Sequence, residues 1–196
     1  MREHWGMTPT DIKVLGICGF ARSGKDSFAD FLCKLFPCEF KKTSLAYELK
    51  RDLNPFLLSK LGISAFTEKP KEKEIIRPLL ITWGTDVIRN KFSKSYWIDK
   101  IKKKIVENSK SNFITIIPDV RFVNEIEWIK MNGESIYIER DDCFPVGLIE
   151  NETAKLKGMA DHVFKWPKMK NFERSGLSMV ENFSHKNLSW LDHKAI

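Results

Sequence analysis

Apolar residues along this chain fall in short continuous runs separated by longer amphipathic stretches, the pattern of strands alternating with helices. The run Ile12–Cys18 (IKVLGIC) predicts a first strand, and Lys25–Phe36 predicts a helix that stops at Pro37. A second strand is expected at Phe40–Ser44, then a helix over Leu45–Lys60 disturbed by Pro55, then a loop over Gly62–Pro70. Lys71–Phe92 has helical period, with Ile75, Ile76, Leu79, Leu80, Trp83, Val87 and Ile88 on one broad face. Pro78 should kink that helix and Gly84 should loosen it. Trp97–Glu107 reads as a further helix.

Phe113–Ile117 (FITII) is an unbroken apolar run that ends at Pro118, as expected of a strand buried on both faces of a parallel sheet. Val123–Met131 predicts a helix with Ile126 and Ile129 inward, closed at Asn132-Gly133 by a left-handed turn. Glu134–Ile138 and His162–Lys165 are expected strands, and the polar stretch Arg140–Gly147 between them reads as a mobile loop. After Pro167 the chain is polar with few periodic apolar positions, so a loosely packed tail helix is expected. Strands that alternate with helices predict an α/β fold with a mostly parallel sheet.

Composition narrows the class. The 196 residues suit one domain, and 42% hydrophobic with 30% charged residues exclude a disordered chain. No apolar run approaches the length of a membrane span, so no membrane partner is expected, and the opening MREHWGMTPT lacks the apolar stretch of a signal peptide. The four cysteines (Cys18, Cys33, Cys38, Cys143) form no CxxC pair, which fits a reducing cytoplasm. The formal charge of +7 admits nucleic-acid binding. Yet the densest basic run, Lys100–Lys104, lies in a predicted helix as a solvated face. Scattered arginines suit a site that gathers phosphates, so no dedicated nucleic-acid partner is expected.

Candidate chemistry begins at Gly19–Ser27 (GFARSGKDS), between the first strand and the first helix. Strand, glycine-rich loop, lysine and helix form the context of a phosphate-binding loop, although Asp26 stands where a hydroxyl residue usually follows the lysine. Backbone N–H groups and the helix dipole would face the phosphates, and Lys25 would reach the β- and γ-phosphates. In open α/β sheets ligands bind beyond the carboxyl ends of the strands. Asp119 and Arg121 follow the FITII strand there: a carboxylate to hold Mg²⁺ and an arginine on the same rim. Their bland alternatives are a helix cap and a surface ion pair. Lys50 lies in a helix where lysines are usually solvated. Trp83, Gly84, Thr85, Arg89 and Trp97 form a second cluster in which the tryptophans suit either core or a platform for a planar base.

Taken together, Cys18–Phe31, Leu45–Leu53, Arg77–Trp97, Pro118–Glu125 and Asn151–Ala154 resemble the deoxynucleoside monophosphate kinases of the tailed-phage type, in the family's order. The resemblance implies a single three-layer P-loop kinase domain over residues 1–196. Its helical monophosphate-binding part would span about 45–108 and its lid about 139–150. It implies ATP and Mg²⁺, with Gly19, Arg22, Ser23, Gly24, Lys25, Asp26 and Ser27 on the ATP phosphates and Asp26, Ser27 and Asp119 toward the metal. Lys50, Arg77, Trp83, Gly84, Thr85, Arg89, Trp97, Arg121 and Glu152 would hold the (deoxy)nucleoside monophosphate. Lys25, Asp119, Arg121 and the lid residue Arg140 would carry catalysis. A homodimer stays an open option. The chain departs from the family at Tyr47-Glu48, where Gly-Pro is usual, at Ile149 and Glu150, where a histidine is often found, and at Trp166, where an asparagine is expected. All three touch base recognition. The alternatives are a phosphomevalonate-kinase-like enzyme and, in a different class, a non-catalytic nucleic-acid-binding P-loop protein.

Overall fold

Five parallel strands in the order β2-β3-β1-β4-β5 carry the fold. The structure, a computed structural model, describes residues 13–145, 148–167, 172–188 and 191. The strands are β1 (Val14–Cys18), β2 (Phe40–Lys42), β3 (Ile114–Val120), β4 (Gly133–Arg140) and β5 (His162–Trp166). The α-helices are α1 (Lys25–Leu35), α2 (Leu45–Leu61), α3 (Pro70–Ile81), α4 (Tyr96–Lys110), α5 (Val123–Asn132), α6 (Leu148–Lys155) and α7 (Phe172–Asn187). A π-helical segment, Thr82–Phe92, follows α3, and a 3-10 turn, Leu156–Gly158, follows α6. The expected strand start at Ile12, Val146 and Gly147 of the expected lid, and residues 192–196 lie outside the described residues. Among the described residues no helix is long and apolar enough to cross a membrane.

The chain forms two compact units, Thr43–Lys104 and the remainder, with the boundary inside α4. The larger unit holds the sheet. Every residue of β1 is buried, as expected of a central parallel strand. Alternate side chains point to opposite faces. Leu15 and Ile17 join Phe28, Ala29 and Leu32 of α1 and Val180 of α7 in one cluster. Gly16, between them, faces α5, where a Cβ would lie 2.8 Å from Ile129. Helices therefore cover both faces of the sheet.

Three expectations change. The first concerns β3, which does not stop at Pro118 but runs on to Val120. Its register to β1 slips between Gly16↔Ile117 and Cys18↔Val120, so Pro118 and Asp119 occupy a bulge. A bulge leaves one residue out of the ladder, which is where a strand tolerates the missing N–H of proline. The second concerns Gly133, which is not a left-handed helix stop: its φ of 166° is extended. It opens β4 directly, and a Cβ there would run into the Val14 carbonyl oxygen, so glycine is required by close backbone approach.

The third concerns the C-terminal segment. Far from packing loosely, α7 buries Val180 and Ser184, and Leu188 and Leu191 beyond it are buried too. Phe183 packs its ring against Phe28 and Phe164 at 5.8 and 5.2 Å. Its inward stripe is Gly176, Val180, Ser184 and Leu188, with the Ser184 hydroxyl donating to the Val180 carbonyl at 2.7 Å.

The smaller unit has a small core of Leu57, Ala65 and Ile76, with Leu53, Ile63 and Leu80 packed on it. Pro55 is accommodated within an unbroken α2. Of the broad apolar face expected over Lys71–Phe92, Ile76 and Leu80 pack inward, whereas Ile75, Leu79, Trp83 and Val87 are exposed. The helix also changes winding: after Ile81 the bonds run five residues back, as in Ser93 N–H to the Ile88 carbonyl at 2.8 Å.

At the amino end of β4 and β5, Asp161 accepts from the Ser135 N–H and hydroxyl at 2.9 and 2.6 Å and pairs with Lys130 at 2.9 Å. Burial pushes this carboxyl up, but the Ser135 bonds and the Lys130 ammonium outweigh it and hold it below the usual range. A carboxyl depressed in the folded state stabilises above its unfolded pKa, and the contribution fades as pH falls through the folded value. Asp161→Asn should therefore lower the denaturation midpoint at pH 7, and the gap from wild type should close toward pH 3. Urea melts at both pH values measure this; an equal gap at both would show that the charge is irrelevant.

Candidate active site

Local backbone geometry builds the site from the exit of β1. Gly19 and Gly24 have φ of 137° and 89°, and Arg22 is left-handed at 63°. Both glycines are forced. A Cβ on Gly19 would strike the Ile138 carbonyl oxygen of β4, and one on Gly24 would lie 2.5 Å from the Trp166 indole nitrogen. The loop closes on itself through Ser23 N–H to the Phe20 carbonyl at 3.2 Å. Gly24 then caps α1, and its carbonyl accepts the Phe28 N–H at 2.9 Å. The N–H groups of Lys25, Asp26 and Ser27 precede the first intrahelical bond and face the positive end of the α1 dipole.

Lys25 Nζ donates to the Phe20 carbonyl at 2.5 Å, folding its ammonium over the loop. Ser23 is fully buried, and its hydroxyl oxygen has no hydrogen-bond partner among the described residues. A cavity of about 490 Å³ opens here, lined by Arg22, Gly24, Lys25, Asp26, Ser27, Arg140 and Pro167. That volume lies within the usual range of ligand pockets. Arg140 ends β4 beside the loop and pairs through Nε with Asp142 at 2.9 Å. Cys18, just before the loop, is no nucleophile: burial pushes its thiol up to about 12, although the Lys25 ammonium pulls the other way.

Asp119 sits half-buried in the β3 bulge, at the carboxyl end of the strand next to β1. The cap of α5 is supplied by another residue. Glu125 is buried, and its carboxylate accepts the Arg121 and Phe122 N–H groups at 2.8 and 3.1 Å. On the other side the Arg121 carbonyl accepts from the Thr153 hydroxyl at 3.2 Å. The Arg121 backbone is thus held on both sides while its exposed guanidinium makes no hydrogen bond or ion pair among the described residues. Glu152, expected at this rim, pairs with Lys155 at 2.6 Å; the neighbouring Thr153 is the residue of α6 that reaches Arg121. Glu125, Thr153 and Pro167 were not legible as site residues. The spacing of Glu125 three residues after Phe122 was the available signal for a helix-capping carboxylate.

In the smaller unit, Gly84 is buried under Leu49, whose methyl carbon lies 2.6 Å from where a Cβ would be. The Gly84 carbonyl accepts the Trp97 indole N–H at 3.0 Å, so Trp97 is a buried brace rather than a free platform. Trp83 is the more exposed of the two, at 37%. Arg89 Nη1 donates to the Lys94 carbonyl at 3.0 Å. Thr85 is half-buried, Arg77 is exposed on α3, and Lys50 Nζ sits 5.9 Å from the Phe66 ring.

A parallel sheet with β1 at its centre, and a left-handed glycine loop capping α1 around a lysine, define a P-loop phosphotransferase. Residues 56–147 match the family model of the deoxynucleotide monophosphate kinases. Among solved structures, the chain is similar to a dephospho-CoA kinase from Campylobacter jejuni at 14% identity and TM-score 0.52, over 90% of this chain and 98% of that one. It is also similar to the shikimate kinase of Aquifex aeolicus at 16% identity and TM-score 0.44, over 93% and 98% of the two chains. No curated protein matches it in sequence. The first likeness shows the fold; the family match bears on nucleotide monophosphates and favours neither a phosphomevalonate-type acceptor nor a non-catalytic role.

Lys25→Ala should abolish phosphoryl transfer with the fold intact, because the side chain serves the loop rather than the core. Removing such a charge contact costs on the order of several kcal/mol of transition-state stabilisation. Turnover of the purified variant, beside its circular dichroism, checks this; residual activity above about a tenth of wild type would contradict the assignment.

Proposed function

We propose that the chain transfers the γ-phosphoryl group of ATP to a (deoxy)nucleoside monophosphate. The observation that carries the reading is the Gly19–Ser27 loop around Lys25, opening on a cavity that Arg140 shares, in a chain whose residues 56–147 match the deoxynucleotide monophosphate kinases. Phosphoryl transfer asks little covalent chemistry of the protein; it asks for alignment of two anions and compensation of their charge. The loop N–H groups and Lys25 bind the β- and γ-phosphates, and Arg22 and Arg140 add positive charge at the mouth of the same cavity. The acceptor phosphate is itself the nucleophile near neutral pH, so no general base is assigned.

Mg²⁺ fits the residues present. Ser27, Asp26 and Asp119 are hard oxygen donors, and no cluster of three His, Cys, Asp or Glu side chains forms a closed metal cage among the described residues. Magnesium favours one or two carboxylates plus substrate phosphates over such a cage. Ser27 and Asp119 would hold the ion, with Asp26 beside them, and the ion would supply charge neutralisation on the phosphate oxygens. The helical unit, with Arg77, Trp83, Gly84, Thr85, Arg89 and Trp97 inside the matched residues, is assigned to the acceptor nucleotide on the strength of the family match, and Lys50 and Glu152, outside it, on the resemblance of their own segments.

Arg121 is assigned to the acceptor phosphate. A planar fork on a fixed backbone binds two phosphate oxygens at once, and lysine cannot copy that geometry. ADP release with dAMP, dGMP, dCMP, dTMP, hydroxymethyl-dCMP and phosphomevalonate as acceptors tests the reading. Only nucleotides should support turnover, and turnover with phosphomevalonate alone would replace it. With the best acceptor, Arg121→Lys should raise the monophosphate KM or lower kcat at least about tenfold, roughly 1.4 kcal/mol, with the ATP KM moving much less. Asp119→Asn should weaken the Mg²⁺ dependence more than nucleotide binding. A magnesium titration decides this, and unchanged half-saturation and turnover would remove Asp119 from the metal.

A further inference from the structure

The largest fully buried side chain among the described residues is an indole, marked in the sequence only as standing where the resemblance expects an asparagine. Trp166 ends β5, is 1% exposed, and immediately precedes Pro167, which lines the cavity. Its ring runs between two glycines. At one edge, a Cβ on Gly24 would lie 2.5 Å from its Nε1 and 3.0 Å from its Cδ1. At the opposite corner, a Cβ on Gly176 of α7 would lie 3.4 Å from its Cζ3. Phe28, Phe31 and Phe164 hold the ring from the sides, with centroids at 6.3, 6.2 and 4.7 Å and steep interplanar angles.

We propose that Trp166 is a positioning residue for the phosphate loop: a rigid strut between α7 and Gly24 that fixes the left-handed turn on which Lys25 and the first N–H groups of α1 depend. Three observations support it. Gly24 carries the left-handed φ of 89° and also caps α1, so a shift there moves every donor that faces the phosphates. An edge-packed aromatic cluster is nearly incompressible, and close-packed interiors transmit displacement rather than absorb it. The contact is made by the indole edge, which a smaller ring would not reach in the same place. Glycine at 24 is thereby required twice, by its backbone conformation and by the ring beneath it.

This inference rests on the ATP reading of the loop, so the test separates the two. Wild-type binding of the non-hydrolysable analogue AMP-PNP, measured by calorimetry, comes first, and its absence would sink the ATP reading and the strut with it. Given binding, Trp166→Phe should raise the AMP-PNP Kd and the ATP KM at least fivefold, with the monophosphate KM within twofold. Val180→Ala, a core truncation on α7 away from the loop, should lower the melting temperature and move neither constant. A Trp166→Phe Kd within twofold of wild type overturns the proposal. A measurement on the wild-type protein covers the case in which Trp166→Phe does not fold. The assigned indole N–H resonance of Trp166 should shift on adding AMP-PNP and stay put on adding the monophosphate; a resonance unmoved by AMP-PNP also overturns it.

Discussion

Close backbone approach around β1 is the constraint from which the site follows. The strand is buried along its whole length between β3 and β4, so its neighbours must come in without side chains in the way. Gly133 passes the Val14 carbonyl, Gly16 gives its space to Ile129, and Gly19 passes the Ile138 carbonyl. Each glycine sits where a methyl group has no room. The end of β1 at Cys18 is level with the end of β3 at Val120, while β4 runs three residues beyond Tyr137 to Arg140. The loop, Asp119 and Arg140 are then neighbours by topology, before any side chain chooses a partner. Polar chemistry collects at the carboxyl edge because that edge is where the apolar core runs out.

Rigidity at this edge comes from bonds made by residues that do not face the cavity. The bulge at Pro118 and Asp119 turns a missing N–H into a change of aim, since bulges bend a strand and redirect its side chains. Glu125 spends its carboxylate on two backbone N–H groups, satisfying orphan donors of α5 and fixing the chain at Arg121. Charge-assisted bonds of this kind are roughly twice as strong as neutral ones. The Arg121 head is left to solvent at the end of a backbone that cannot move.

What could be read in advance follows from which signals are local. The Gly19–Ser27 spacing and the FITII run depend on nearest neighbours, and both appear in the structure where the pattern puts them. The close packing of α7 did not announce itself because its inward stripe is Gly176, Val180, Ser184 and Leu188, and two of those four do not count as apolar. Gly133 after Asn132 carries the usual signature of a left-handed stop, yet its reason is the Val14 carbonyl more than a hundred residues away in sequence. Trp166 stands out in the sequence only as the residue where the resemblance expects asparagine; its contact with Gly24 is not legible there, because only tertiary packing brings the two together. The π-winding of Thr82–Phe92 had a partial signal in Gly84. The brace that accompanies it, Trp97 on the Gly84 carbonyl, comes from the following helix.

The two units differ in how firmly they are packed, and the difference matches what the proposed reaction would ask of each. Around the loop, left-handed glycines are locked by a sheet and an aromatic cluster, so the loop N–H groups are fixed by the fold itself. In the helical unit one small buried cluster is Leu57, Ala65 and Ile76, and large apolar side chains such as Phe56, Ile75 and Phe92 remain exposed. Its π-helical segment lacks the tighter winding of an α-helix and is braced by a side-chain hydrogen bond to Gly84, worth about 1 kcal/mol net. Few buried contacts mean a low free energy of local rearrangement, which is where moving parts of enzymes are found. Phosphoryl transfer needs a fixed cradle for the group in flight, because small misplacement costs large factors in rate, and a site that excludes water once filled. On the proposed reading, a stiff donor loop with a softer acceptor unit would meet both demands within one chain.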